Sequence, residues 1–156
     1  MITIKNVYKS FGDLEVLKDI SFEFTKGKTT AIIGSSGSGK STLLRCINGL
    51  EQIQSGDILI NDISTSKLNH KDLVKDVGMV FQQFNLFSNM TVLNNVMYAL
   101  LKVKKMNKED AKKLAIDALI TVNVDDKINQ YPRTLSGGQK QRVALARALV
   151  MKPEIM

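Results

Sequence analysis

The residues best suited to do chemistry run from Gly34 to Ser41, GSSGSGKS, and fit G-x4-G-K-[ST] at every fixed position. Each residue type meets a need of a bound polyphosphate. Gly34, Gly37 and Gly39, interleaved with Ser35, Ser36 and Ser38, let the backbone curl with its N–H groups inward as an anion nest. A helix expected from Gly39 or Lys40 adds its positive end to the same anion. Lys40 would reach the β- and γ-phosphates, the Ser41 hydroxyl would ligate Mg²⁺, and Thr42 completes the stretch assigned to the nucleotide. With Gly near 7% of residues, the bare pattern arises by chance in on the order of 1% of chains this long, so its setting must decide. An apolar run, TTAII (29–33), leads into it and a helical pattern leaves it. A flexible Gly/Ser linker would have neither flank, and nucleotide binding is the expectation.

A second glycine-bearing helix start lies far downstream, at Leu135-Ser136-Gly137-Gly138-Gln139. Ser136 and Gln139 have the spacing of a capping box, and the N-terminus they open is a second potential anion site.

The elements that must position these motifs change character along the chain. Residues 2–8 and 16–24 alternate apolar and polar as half-buried strands do. The 29–33 run reads as the strand feeding the cradle, and the helix after it should turn Leu43, Leu44, Ile47 and Leu50 inward. Gly56-Asp57 introduces another strand, DILI, and VGMVF (77–81) reads as a buried strand ending at Gln82. From Phe84 onward only helices are expected. Thr91 can cap one through about Val103. Asn107 can cap the next, whose apolar stripe is Ala111, Leu114, Ala115, Ala118, Leu119 and Val122. Glu109 and Asp110 suit its first turn, where the helix dipole favours negative charge. Tyr131-Pro132 breaks the pattern before the Ser136 helix, which should reach about Val150. The implied division is an αβ nucleotide-binding core over 1–83, a helical part over 84–150, and the opening of a further strand at 151–156.

Composition bounds the rest. Hydrophobic residues make up 44% and charged residues 24%, which is globular rather than disordered. No apolar run approaches a bilayer span and the N-terminus lacks a signal-peptide core, so the cytosol is the default. Cys46, the single cysteine, excludes an internal disulfide and reads as a small buried side chain. The net charge of +7 is densest from Lys102 to Lys113, which reads as a solvated helix face. His70, the one histidine, sits in a polar segment and reads as a surface or capping residue.

LSGGQ at 135–139, followed by KQRVALARAL and preceded by the phosphate cradle, resembles the signature of ATP-binding cassette (ABC) ATPases over essentially the whole chain. The resemblance implies an α/β P-loop NTPase core of ABC type with an antiparallel β edge subdomain and an α-helical subdomain. It makes VYKSFG the adenine-stacking loop, with Phe11 under the base and Val16 as its apolar neighbour. Gln82 is similar to the family's Q-loop glutamine, which touches Mg²⁺ or the attacking water. Two such domains close head to tail, so Ser136, Gly137, Gly138 and Gln139 would bind the γ-phosphate of ATP in the partner's cradle. Phe84, Leu86, Phe87 and Met90 would meet a transmembrane permease subunit, with a solute-binding protein engaged indirectly and no nucleic acid expected. LLRCINGLE, GMVFQQFNLF and MTVLNNV are close to the polar amino acid importer branch. The implied role is the ATP-binding motor of an importer, peripheral on the cytoplasmic face of the cell membrane.

The sequence also departs from that family. Its Walker B strand ends in Asp-Glu, and only the opening of such a strand is visible at Pro153-Glu154-Ile155-Met156. Glu154 precedes the strand, Asp125-Asp126 lies before the signature, and His70 is far upstream of the switch histidine. The chain therefore reads as incomplete at its C-terminus, lacking Walker B, D-loop and switch histidine. Little ATPase activity and poor independent folding are expected. A nucleotide-binding fragment without turnover, and a non-transport ABC ATPase, stay open as alternatives.

Overall fold

The computed structural model describes residues 1–156, apart from the side chains at positions 70, 71 and 74. The surface role expected of His70 concerns one of these and lies outside the described residues. The chain separates into two compact units, Met1–Val74 and Lys75–Met156.

The first unit is built on a four-stranded antiparallel sheet. Strands β1 (Ile2–Phe11), β2 (Leu14–Phe24), β3 (Ser55–Ile60) and β4 (Ile63–Ser64) lie in the order β2-β1-β3-β4. Register sets the core: Ile4 faces Phe22 on one side and Ile58 on the other, and Ile2 faces Phe24 and Ile60. Ile2, Ile4, Ile58 and Ile60 are buried, with Leu43, Cys46 and Ile47 of helix α1 (Lys40–Ile47) also in the core. Burial also pushes the Cys46 thiol above its ordinary pKa, with Lys9 lowering it and Glu51 raising it. The pairing of β1 with β2 shifts register between Ile4 and Val7, and Asn6 there takes a left-handed φ of 45°. The shift carries the inward parity from Ile2 and Ile4 to Val7 and Lys9, because side chains alternate faces along a strand. A lysine is thereby turned to the buried face.

Two expectations about this unit need correction. The 29–33 run forms no strand; it is exposed throughout, with Ile33 at 92%, and no ladder partner is present among the described residues. Strand status depends on lateral hydrogen bonds, which local composition cannot supply. Leu44 and Leu50 are also exposed, because α1 ends at Ile47 and buries only the Leu43–Cys46–Ile47 face. Residues in the polar SKLNHKD segment form a short helix, α2 (His70–Asp76), opened by Asn69, whose Oδ1 accepts from Asp72 N at 3.0 Å.

The second unit is a helical cluster. Helices α3 (Val92–Lys102), α4 (Lys108–Thr121) and α5 (Gly137–Leu149) pack around Val92, Val96, Leu100, Ala115, Leu119 and Val143. The caps are those the sequence specifies. Thr91 accepts from Asn94 N, Asn107 from Asp110 N, and Ser136 from Gln139 N in a full capping box. In the expected α4 stripe, Ala111, Ala115, Leu119 and Val122 are buried while Leu114 and Ala118 pack partly against them. The 77–81 run is not a strand either. Val77 alone makes a parallel bridge, to Ile155, with Gly78 N donating to Ile155 O at 2.8 Å and Ile155 N to Asp76 O at 3.0 Å. Both 77–81 and 151–156 therefore belong to this unit, whereas the change in composition puts the division at Gln83.

Candidate functional site

In the first unit Gly34–Lys40 curls into a closed loop. Ser36-Gly37 makes a turn, with Gly37 at φ 82°, and Ser38 N donates to Ser35 O at 3.3 Å. Lys40 folds back over the loop, its Nζ donating to Gly34 O at 2.9 Å, Ser35 O at 2.6 Å and Ser38 Oγ at 3.3 Å. Gly39, the N-cap of α1, sits at φ 88° with no side-chain cap, and a Cβ there would lie 2.9 Å from Val16 O. Only glycine satisfies both the left-handed conformation and that approach. Val16 is thus at the base of the loop.

Fit to a polyphosphate can be judged from the polar groups left over. Among the described residues, the amides of Gly39, Lys40, Ser41 and Thr42 make no bond to a protein acceptor. A helix start has four such orphan donors, and an uncapped one presents them to a ligand. The first turn of α1 carries no acidic side chain to repel an anion. No group of three or more His, Cys, Asp or Glu is placed to hold a metal among the described residues. For magnesium that is a fit rather than an obstacle, because Mg²⁺ is usually held by few protein ligands together with substrate phosphates and water. The exposed Ser41 can serve as one.

Beside the loop, the β1–β2 hairpin turns at Gly12-Asp13 and pairs Phe11 with Leu14. Phe11 is 48% exposed, and the Lys9 ammonium lies 4.7 Å from its ring centroid. Lys9 is itself held by Glu51, Nζ to Oε1 2.8 Å. Nothing in the sequence pattern singles out Lys9; the register shift in β1 makes it visible.

In the second unit the Ser136 turn is exposed. Ser136 N donates to Gln139 Oε1 at 2.8 Å, so both capping side chains are engaged with the backbone. Gly137 and Gly138 have no positive φ, and a Cβ at either would meet nothing within 4 Å. Neither conformation nor internal packing requires glycine there. Gln82 is exposed in the loop after Val77.

Two residues that sequence reasoning missed shape that loop. Asn95 is fully buried; its Oδ1 accepts from Phe87 N at 2.8 Å, and its Nδ2 donates to Phe87 O, Met90 O and Thr91 O at 3.1, 3.2 and 3.0 Å. Arg147 of α5 donates to Phe84 O at 2.8 Å and Asn85 O at 2.7 Å, the two residues that take left-handed φ values of 61° and 46°. Burial holds the Arg147 guanidinium below its ordinary pKa. Both look like solvated helix positions in sequence, since their partners are backbone atoms of a loop. Of the expected apolar surface, Phe87 is exposed, its ring tilted by 52° to that of Tyr98 with centroids 5.0 Å apart, while Phe84, Leu86 and Met90 are half-buried.

Comparison with known proteins bears on the whole arrangement. A family model described as ABC transporter matches residues 17–156. The glutamine transport ATP-binding protein GlnQ of Escherichia coli strain K12 is 49% identical over 158 aligned positions, covering all of this chain and 66% of that protein. The arginine transport ATP-binding protein ArtM of Bacillus subtilis strain 168 is 52% identical with the same coverage. Among solved structures, the dimeric ATP-binding cassette MJ0796 bound to ADP and Pi superposes with a TM-score of 0.89 at 38% identity, over 98% of this chain and 71% of that one. The chain thus spans 66% of the length of these curated relatives. With the phosphate loop and the glycine-opened helix both inside residues 17–156, this chain belongs to the ABC transporter family.

Proposed function

We propose that the chain is the nucleotide-gripping part of an ABC importer's ATP-binding subunit, and that the imported solute is a polar amino acid. The observation that carries the reading is the Gly34–Thr42 loop: four orphan amides at an uncapped helix start, with a lysine folded over them. In the proposed bound state these amides and the Lys40 ammonium surround the terminal phosphates of ATP. Lys40 exchanges Gly34 O and Ser35 O for phosphate oxygens, which bear more negative charge and make stronger charge-assisted bonds. Magnesium, held through Ser41, supplies charge neutralisation across the phosphates. Gln82 keeps the role its resemblance gives it, contact with Mg²⁺ or the attacking water.

The open glycine face at Ser136–Gln139 supports a second contact, with ATP in the cradle of another copy. Two glycines in a helix's first turn cost stability that nothing inside the chain requires. Close approach by another molecule accounts for them. The names GlnQ and ArtM support the solute class, and a permease subunit is the partner proposed for the loop at Phe87. The subunit would sit at the cytoplasmic membrane face through that permease, and no described helix is long and apolar enough to cross a membrane itself. The chain is proposed to bind ATP with little turnover, since no described acid sits in the phosphate loop.

Isothermal titration with Mg-ATP tests the reading. Wild type should bind, and Lys40→Met should weaken binding at least about tenfold, the equivalent of one charge-assisted bond. Equal affinity in the two proteins would refute it.

A further inference from the structure

Lys9 is a charged residue on the buried face of a strand, and its surroundings show what holds it there. Glu51 neutralises it on one side, and the ring of Phe11 lies 4.7 Å from the ammonium on the other. Glu51 is set by the turn after α1, where its N–H donates to Arg45 O at 3.2 Å. The other end of that turn is also fixed to β1: Gln54 N donates to Tyr8 O at 3.0 Å, and Ser10 N donates to Gln54 Oε1. The carboxylate, the ammonium and the ring thus form a short stack rooted in the sheet. Phe11 remains 48% exposed at its end, and no other aromatic ring packs on it among the described residues. The hairpin that carries the ring also carries Val16, whose carbonyl abuts Gly39 at the base of the phosphate loop.

We propose that Lys9 is a positioning residue for nucleobase recognition: its ammonium grips one face of Phe11 and leaves the opposite face as a fixed platform for the purine. The inference rests on the reading of Phe11 as the base-stacking residue. A cation on one face of a ring is attracted by its quadrupole and draws π-density toward itself. The far face then becomes a better partner for an electron-rich purine. A ring held before the ligand arrives also loses less rotamer freedom on binding, which raises affinity without any new contact. Lys9 itself touches neither base nor phosphate in this scheme.

The test compares Mg-ATP with magnesium tripolyphosphate, which has the phosphates and no base, by isothermal titration of the chain. The quantity read is the dissociation constant for tripolyphosphate divided by that for ATP. Lys9→Met should weaken ATP binding about three- to tenfold, an estimate set by the strength of a partly desolvated cation–π contact, and leave tripolyphosphate unchanged. Lys9→Arg, which keeps both the charge and the ion pair, should retain the wild-type ratio. Should Lys9→Met fail to fold, Glu51→Gln reads the same quantity, because an ammonium freed from its carboxylate leaves the ring and lowers the ratio. Equal losses for both ligands would mean that Lys9 acts on phosphate by charge, or only on folding, and would overturn the proposal. So would an unchanged ratio. Phe11→Ala separates the two levels: a lowered ratio there with none for Lys9→Met sinks Lys9 alone, whereas no effect of Phe11→Ala sinks the platform as well.

Discussion

Gly138→Ala offers a perturbation whose effects on folding and on function should have opposite signs. Alanine is favoured over glycine in a helix interior by about 0.8–1.0 kcal/mol, and in a first turn by about half that. The added methyl meets nothing within 4 Å, and the glycine has no positive φ to relieve, so no steric cost offsets the gain. The melting temperature should therefore rise by about 2–4 °C, at about 4–8 °C per kcal/mol for a domain of about 60–100 residues. In an ATP-closed dimer that same face would approach phosphate, and a methyl forced into a tight interface costs about 1–3 kcal/mol. ATP-dependent dimerisation should weaken by about five- to hundredfold. Circular dichroism melts and light scattering with and without Mg-ATP measure the two quantities on one preparation. A lowered melting temperature would show that the glycine serves the chain's own fold. An unchanged dimer would show that the open face is not where the second nucleotide goes.

Gly39→Ala should do the reverse of Gly138→Ala, since its φ of 88° and the 2.9 Å approach to Val16 O leave a Cβ no room; both ATP binding and the melting temperature should fall, the latter corresponding to about 1–3 kcal/mol. Asn95→Ala removes four hydrogen bonds from the Phe87–Thr91 turn and should destabilise the helical unit by about 2–4 kcal/mol, read as a melting shift and as faster amide exchange confined to that turn. Asn95→Asp, which keeps the acceptor and loses both donors, should be no better than alanine. Cys46, buried and with its pKa raised by that burial, should resist thiol alkylation until the chain unfolds; labelling at the rate of a free thiol in native buffer would contradict the packing of α1.

What the sequence reveals and what it hides divide along a physical line. Thr91, Asn107 and Ser136 act on amides three residues away, so their caps, and the helices they start, are written locally. The curl of the phosphate loop is likewise local, set by glycines and by Lys40 reaching back to Gly34 and Ser35. TTAII and VGMVF have the composition of buried strands, yet a strand is completed only by a neighbour, and Val77 alone finds one. Lys9, Asn95 and Arg147 were illegible for a related reason. Each is a polar side chain whose partner is fixed by a register shift or by a loop's backbone, and neither leaves a period in the sequence. The exposed Leu50 shows the converse, a helix phase applied beyond the helix's last turn, whereas Leu44, inside α1, lies off the Leu43–Cys46–Ile47 face.

Lys40 gives the loop a placeholder of its own: the cation proposed to meet a nucleotide's phosphates is already engaged with two carbonyls and a hydroxyl. Arrival and departure of the ligand are then a swap of partners rather than the making and breaking of a structure. Affinity becomes the modest remainder between two sets of contacts, and a loop that has let go of its ligand falls back unaided into the shape that receives the next one. For the cycling motor proposed above, weak holding of this kind is an asset.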